Sequence, residues 1–146
     1  TLNGADVTEK IRLPEISLYA SAVSAHPAVR AHLLEMQRKL AREHNVVMDG
    51  RDIGTVVLPD AAVKIFLTAS VEERARRRCR ELEGRGTPEA YEKVLEEMRQ
   101  RDYNDSHRAA APLKQAPDAV LLDTTHLDFE GSEQALLRII RERTGQ

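Results

Sequence analysis

Asp49, Arg51 and Asp52 crowd into four residues, with Gly50 between them and Gly54 just beyond. Glycine frees the backbone to turn sharply, so two carboxylates and a guanidinium can close on a polar ligand there. A second set lies further on. Arg101, Asp105 and Arg108 keep the i, i+4, i+7 spacing of one helical face, and that face continues the apolar stripe of Tyr91, Val94, Leu95 and Met98. A core-facing stripe thus turns ionic, and burying such charges costs several kcal/mol unless partners meet them, so an anion is expected there. A third set, Arg74, Arg76, Arg77, Arg78 and Arg80, shares one short stretch. Simpler readings stay open for each: a solvated turn, a helix fraying near Tyr103 with its charges in water, and an exposed face paired to Glu81 and Glu83.

The elements that would carry these residues can be read from periodicity. The apolar run at residues 46–48 predicts a buried strand ending in the Asp49–Asp52 turn, and ligands dock at the carboxyl ends of parallel strands. Residues 62–67 predict a second strand, provided Lys64 reaches solvent or meets an acid, and residues 119–123 a third. Before the first strand, helices are predicted over residues 14–24 and 27–43, each opened by a proline. Ser70 to Glu73 reads as a capping box opening the arginine-rich helix. Thr87 and Pro88 predict the start of the next helix, and Ser132 that of the last. Residues 1–7 are either a loop or the end of an edge strand. Strands separated by helices give an α/β fold with a parallel sheet.

Composition narrows the function. The chain has 146 residues, 41% of them hydrophobic, which suits one domain or part of one. Its 22 Lys+Arg nearly balance 24 Asp+Glu, so the total signals no nucleic-acid partner. One cysteine, Cys79, excludes an internal disulfide and fits a cytoplasmic setting, and the five histidines are too scattered for a short metal motif. No apolar run has membrane-spanning length. The start at Thr1, not Met, points to sequence upstream.

Three stretches taken together, ASAVSAHPAVRAHLLEMQRKL, DGRDIGTVVLPDAAVKIFLTASVEERARRR and EEMRQRDYNDSHRAAAPLKQAPDAVLLDTT, closely resemble the bacterial cytidylate kinases over nearly the whole chain. The resemblance implies a P-loop nucleoside monophosphate kinase fold, with a parallel sheet and flanking helices. It implies transfer of the γ-phosphoryl of ATP, with Mg²⁺, to CMP or dCMP, by a protein that is monomeric when complete. Arg51, Arg101 and Arg108 would hold the acceptor phosphate, which the guanidinium fork suits, and Asp105 the ribose hydroxyls. Asp52 would accept from the cytosine amine while Ser21 and Arg30 donate to the ring. Arg77 or Arg78 would close over ATP as lid residues, and Asp49 would help place Mg²⁺ through water, with no direct protein ligand.

The chain departs from the family in one large respect: it contains no G-x-x-x-x-G-K-[ST] loop. The strand preceding that loop belongs between the counterparts of residues 46–48 and 63–67. The chain is therefore expected to be a C-terminal part: residues 1–13 the end of the acceptor insert, 14–72 core with the strand and turn, 73–108 lid and acceptor-phosphate helix, 109–146 the closing core. The alternatives are a non-catalytic nucleotide-binding or interaction module completed by another polypeptide, and a basic helical surface for RNA. In the complete enzyme, Asp52→Asn is predicted to lower CMP turnover far more than ATP binding, since it sets a donor against the cytosine amine. Steady-state kinetics with each substrate varied checks this, and equal constants for mutant and parent would remove Asp52 from the pocket.

Overall fold

The computed structural model describes residues 1–24 and 26–145. It divides into two compact units, Thr1–Val47 and Met48–Gln146. The first holds a 3₁₀ turn, Lys10–Arg12, and two helices, α1 (Pro14–Ser24) and α2 (Pro27–Glu43), packed on each other. Both helices span the predicted residues, each opening on a proline, whose missing N–H has no intrahelical partner to lose at that position.

The second unit carries the sheet. Strand β1 (Ile65–Thr68) pairs parallel with β2 (Val120–Asp123), Ile65 opposite Val120 and Thr68 opposite Asp123. Between them run α3 (Val71–Gly84) and α4 (Tyr91–His107), and α5 (Phe129–Thr144) follows β2. The α/β class and parallel pairing agree with the sequence pattern. β1 starts later than predicted, although the ladder extends one residue back through Val120 N–H donating to the Lys64 carbonyl (2.9 Å).

Residues 45–48 form no strand; the backbone there is unpaired and Val47 is 99% exposed. A strand needs a ladder partner for its N–H and C=O groups, and among the described residues none lies beside it. After the Asp49–Asp52 turn comes a five-residue π-helix, Ile53–Val57, in which Val57 N–H reaches the Asp52 carbonyl (3.2 Å) and Leu58 N–H the Ile53 carbonyl (2.7 Å). Neither Gly50 nor Gly54 takes a positive φ. Gly54 lies close to the Lys64 stem: a Cβ there would meet it at 3.3 Å, and the stem would have to shift by a few tenths of an ångström. Of the two outcomes open to Lys64, solvent or an acid, its side chain, 9% exposed, takes the second: it pairs with Asp118 (2.5 Å) and also donates to the Pro59 carbonyl.

The capping box forms by half. Ser70 accepts from Glu73 N–H (3.3 Å), but the Ser70 N–H donates to Thr125 Oγ1 (2.8 Å), and the Glu73 carboxylate turns to arginines instead. α4 begins at Tyr91 and not at Thr87, because Thr87 is already committed. Gly86, at φ +74°, closes α3 with its N–H on the Glu83 carbonyl, and Thr87 N–H reaches the Leu82 carbonyl. That pair of bonds is a Schellman cap. α5 likewise starts ahead of Ser132, with Asp128 accepting from Gly131 N–H (2.7 Å).

α3 and α4 are joined by the buried cluster of Ala75, Leu82 and Val94, lined by Cys79, Tyr91, Leu95 and Met98, so the predicted α4 stripe is the packed face. Leu82→Ala opens a cavity in this small cluster and is predicted to destabilise the fold by about 2–5 kcal/mol. Urea unfolding measures it; a loss under about 1 kcal/mol would mean the cluster does not hold the two helices together.

Candidate functional site

The turn at residues 49–52 and the last turns of α4 meet. Arg51 Nε donates to Asp105 Oδ2 at 2.7 Å, across 54 residues of sequence. Arg101 Nε stands 4.0 Å from the same oxygen, and Arg108 Nη2 stands 3.9 Å from Asp52 Oδ1. The helix does not fray near Tyr103; it runs to His107, which holds Asp105 and the Asp102 region in helical register. Asp52 and Asp105 are well covered, with side chains 12% and 18% exposed, while Arg101 reaches out at 67%. Arg51, Arg101, Asp105, Arg108 and Asp52 are thus brought together.

Arg108 is the unusual member. Its Nε donates to the Ala111 carbonyl at 2.6 Å, and Ala111 sits at φ +50°, a left-handed conformation costing an L-residue about 1–2 kcal/mol. Its Nη2 is buried and makes no hydrogen bond. A buried donor left unsatisfied costs about 1–3 kcal/mol, more when charged. Among the described residues, three guanidiniums face two carboxylates in this cluster, one more positive charge than negative. An arriving anion would balance it and satisfy Arg108 Nη2 together.

Beside this cluster lies an open cleft of about 330 Å³, lined by Arg51, Arg74, Arg77, Arg78, Glu81, Met98, Arg101 and Asp102. Its arginines differ in how firmly they are held. Arg77 spends its donors within the fold, on Glu73 (3.2 Å), Thr124 Oγ1 (3.2 Å), the Thr124 carbonyl (2.6 Å) and the Leu127 carbonyl (3.1 Å). That ties α3 to the segment after β2, where Thr124 is buried. Arg78 holds only its neighbour Glu81, at 2.8 Å. Of the two lid candidates, Arg78 is the one held by a single neighbour on its own helix and able to turn to a ligand.

Arg74 and Asp102 are site-lining residues that sequence reasoning left without a role. Arg74 Nη1 and Nη2 meet both Asp102 oxygens, at 3.1 and 2.6 Å. Nothing in a single sequence links residues 28 positions apart. Of the remaining candidates, Arg30 lies half-buried on α2 and Asp49 is exposed. Ser21 falls within α1, and its side chain lies outside those described. Among the described residues no three His, Cys, Asp or Glu side chains group to hold a metal.

Three acids of α3, Glu72, Glu73 and Glu81, have lowered pKa values. For Glu73, burial is the largest influence and would raise it, but hydrogen bonds from Arg77 and Arg76 and the nearby charges of Arg77 and Arg80 outweigh it. For Glu81 the hydrogen bond from Arg78 leads, against the opposing effect of burial. A carboxyl lowered by folding adds stability that is fully present above its unfolded value, near 4.5, and is lost as pH falls through the lower folded value. Acid unfolding should therefore steepen below about pH 4.5, and Glu73→Gln should flatten that limb without changing the slope from pH 6 to 8. An unchanged acid limb in the mutant would contradict the assignment.

A cytidylate kinase family profile matches residues 1–142. The chain is 55% identical over 139 residues to the cytidylate kinase of Carboxydothermus hydrogenoformans, covering 95% of this chain and 63% of that protein. It is 54% identical over 143 residues to that of Caldanaerobacter subterraneus (98% and 64%), and 51% over 144 residues to that of Caldicellulosiruptor saccharolyticus (99% and 64%). It spans a little under two thirds of the length of these relatives. With the match running across both units and through every residue of the cluster, the chain belongs to the cytidylate kinase family.

Proposed function

We propose that the chain supplies the acceptor-nucleotide site and lid of an ATP-dependent kinase that phosphorylates CMP and dCMP to CDP and dCDP. The observation that carries this reading is the unsatisfied, buried Arg108 Nη2 within a cluster of surplus positive charge. An acceptor phosphate placed there would take hydrogen bonds from Arg108, Arg51 and Arg101, with Asp105 released from Arg51 to accept from the ribose hydroxyls. A phosphate oxygen then attacks the γ-phosphorus of ATP as the bond to the β-phosphate oxygen breaks. Such transfer is largely positioning and charge neutralisation, and Mg²⁺ would arrive on the ATP phosphates.

Asp52 would accept from the cytosine amine. The roles of Ser21 and Arg30 as donors to the ring, and of Asp49 in placing hydrated Mg²⁺, rest on the motif alone. Arg78 is favoured over Arg77 as the lid cation by its looser holding. In this reading residues 1–13 would be the end of the acceptor insert, 14–72 and 109–146 core, and 73–108 the lid and acceptor-phosphate helix. No glycine-rich loop ending in Lys-Ser or Lys-Thr occurs in this sequence. The piece by itself would accordingly not turn over ATP, and the strand leading to such a loop would fill the place beside residues 46–48.

Arg108→Met tests the reading in the complete protein. It removes the buried unpaired donor, a gain, and the Nε bond to the Ala111 carbonyl, a loss, so stability should change by no more than about 2 kcal/mol. The kcat/KM for CMP should fall by about 10²-fold or more, with KM for ATP nearly unchanged. Retained CMP turnover, or equal loss toward both substrates, would refute it.

A further inference from the structure

The apolar contact between α3 and α4 lies among residues 75–82 and 91–98, short of the residues that form the charged cluster. Beyond it the helices are held by ionic contacts, and one is built differently from the rest. Arg74 presents its whole fork: Nη1 and Nη2 to the two oxygens of Asp102, and Nε to the Ala69 carbonyl at 3.0 Å. Ala69 is buried at the end of β1, so one side chain fixes α4 to α3 and to the sheet at once. Asp102 adjoins Arg101 and precedes Asp105 by three residues, on the turn that feeds the cluster. The neighbouring Arg99–Glu72 pair is a single contact of 3.1 Å between half-exposed side chains and has no tie to the sheet.

We infer that Arg74 and Asp102 are positioning residues, a bidentate clasp that sets the end of α4 so that Asp105 meets Arg51 and Arg101 faces the cleft. The fork geometry is the active ingredient, since two parallel N–H···O bonds fix orientation where a single ammonium contact fixes only distance. For catalysis the inference rests on the acceptor-site reading above; for geometry it stands alone.

Two readouts on the complete protein separate these. In NMR, the Arg51 Nε–H, hydrogen-bonded to Asp105, should be protected from exchange in the parent and lose that protection in Asp102→Asn and in Arg74→Lys, which keeps the charge but not the fork. Arg99→Gln should leave it intact. In kinetics, the same two variants should raise KM for CMP about tenfold or more while KM for ATP stays within about twofold, with Arg99→Gln unchanged in both; the Arg74→Asp, Asp102→Arg exchange should recover part of the loss. Preserved Arg51 protection in folded Asp102→Asn and Arg74→Lys overturns the clasp whatever the kinase activity, as does a loss spread equally over both substrates. Lost protection in a protein that never phosphorylates CMP would uphold the clasp and sink only the functional reading.

Discussion

The contact on which the site depends is the hydrogen bond from Arg51 Nε to Asp105 Oδ2. It closes the distance between a glycine-punctuated turn and a helix end that are remote in sequence, and it defines where the remaining charges fall. Arg108, Arg101 and Asp52 are arranged around it without making a full set of mutual bonds. A charge cluster built for stability alone would be expected to satisfy its buried donors, because a buried ionic group without partners is costly. Here Arg108 Nη2 makes no hydrogen bond among the described residues, and on the proposed reading an acceptor phosphate would supply one.

That arrangement is maintained from two sides. The apolar packing of Ala75, Leu82 and Val94 holds α3 against α4 at one end, and the Arg74 fork holds them at the other. The short π-helix at Ile53–Val57 directs the chain away from Arg51 and Asp52 immediately after they are placed, and it seats Val57 in the core. π-turns recur at functional sites, where an extra residue in a turn re-aims its neighbours. At Gly54 the backbone lies close to the Lys64 stem.

Much of this was legible in the residues themselves. The α4 stripe announced both its packed face and the charged continuation of it, because helical spacing is a local property. Lys64 within an apolar run had either to reach solvent or to meet an acid, and it meets Asp118. The missed features were those decided by competition or by distance. Thr87 looks like a helix start, but its amide is already used in closing α3. Residues 46–48 have strand composition and no strand, since pairing depends on a partner and not on composition. The π-helix has no simple periodicity, and the Arg74–Asp102 fork leaves no mark in a single sequence. Arg77, grouped by sequence with the lid, turns out to be bound to Thr124 and Leu127 backbone groups, a role that only the folded chain displays.

The most direct measurement is a structure of the complete protein with CMP bound. The account predicts phosphate oxygens within hydrogen-bond distance of Arg108 Nη2 and of Arg51, with Asp105 turned from Arg51 to the ribose. A CMP phosphate held elsewhere, with Arg108 Nη2 still buried and unbonded, would contradict it.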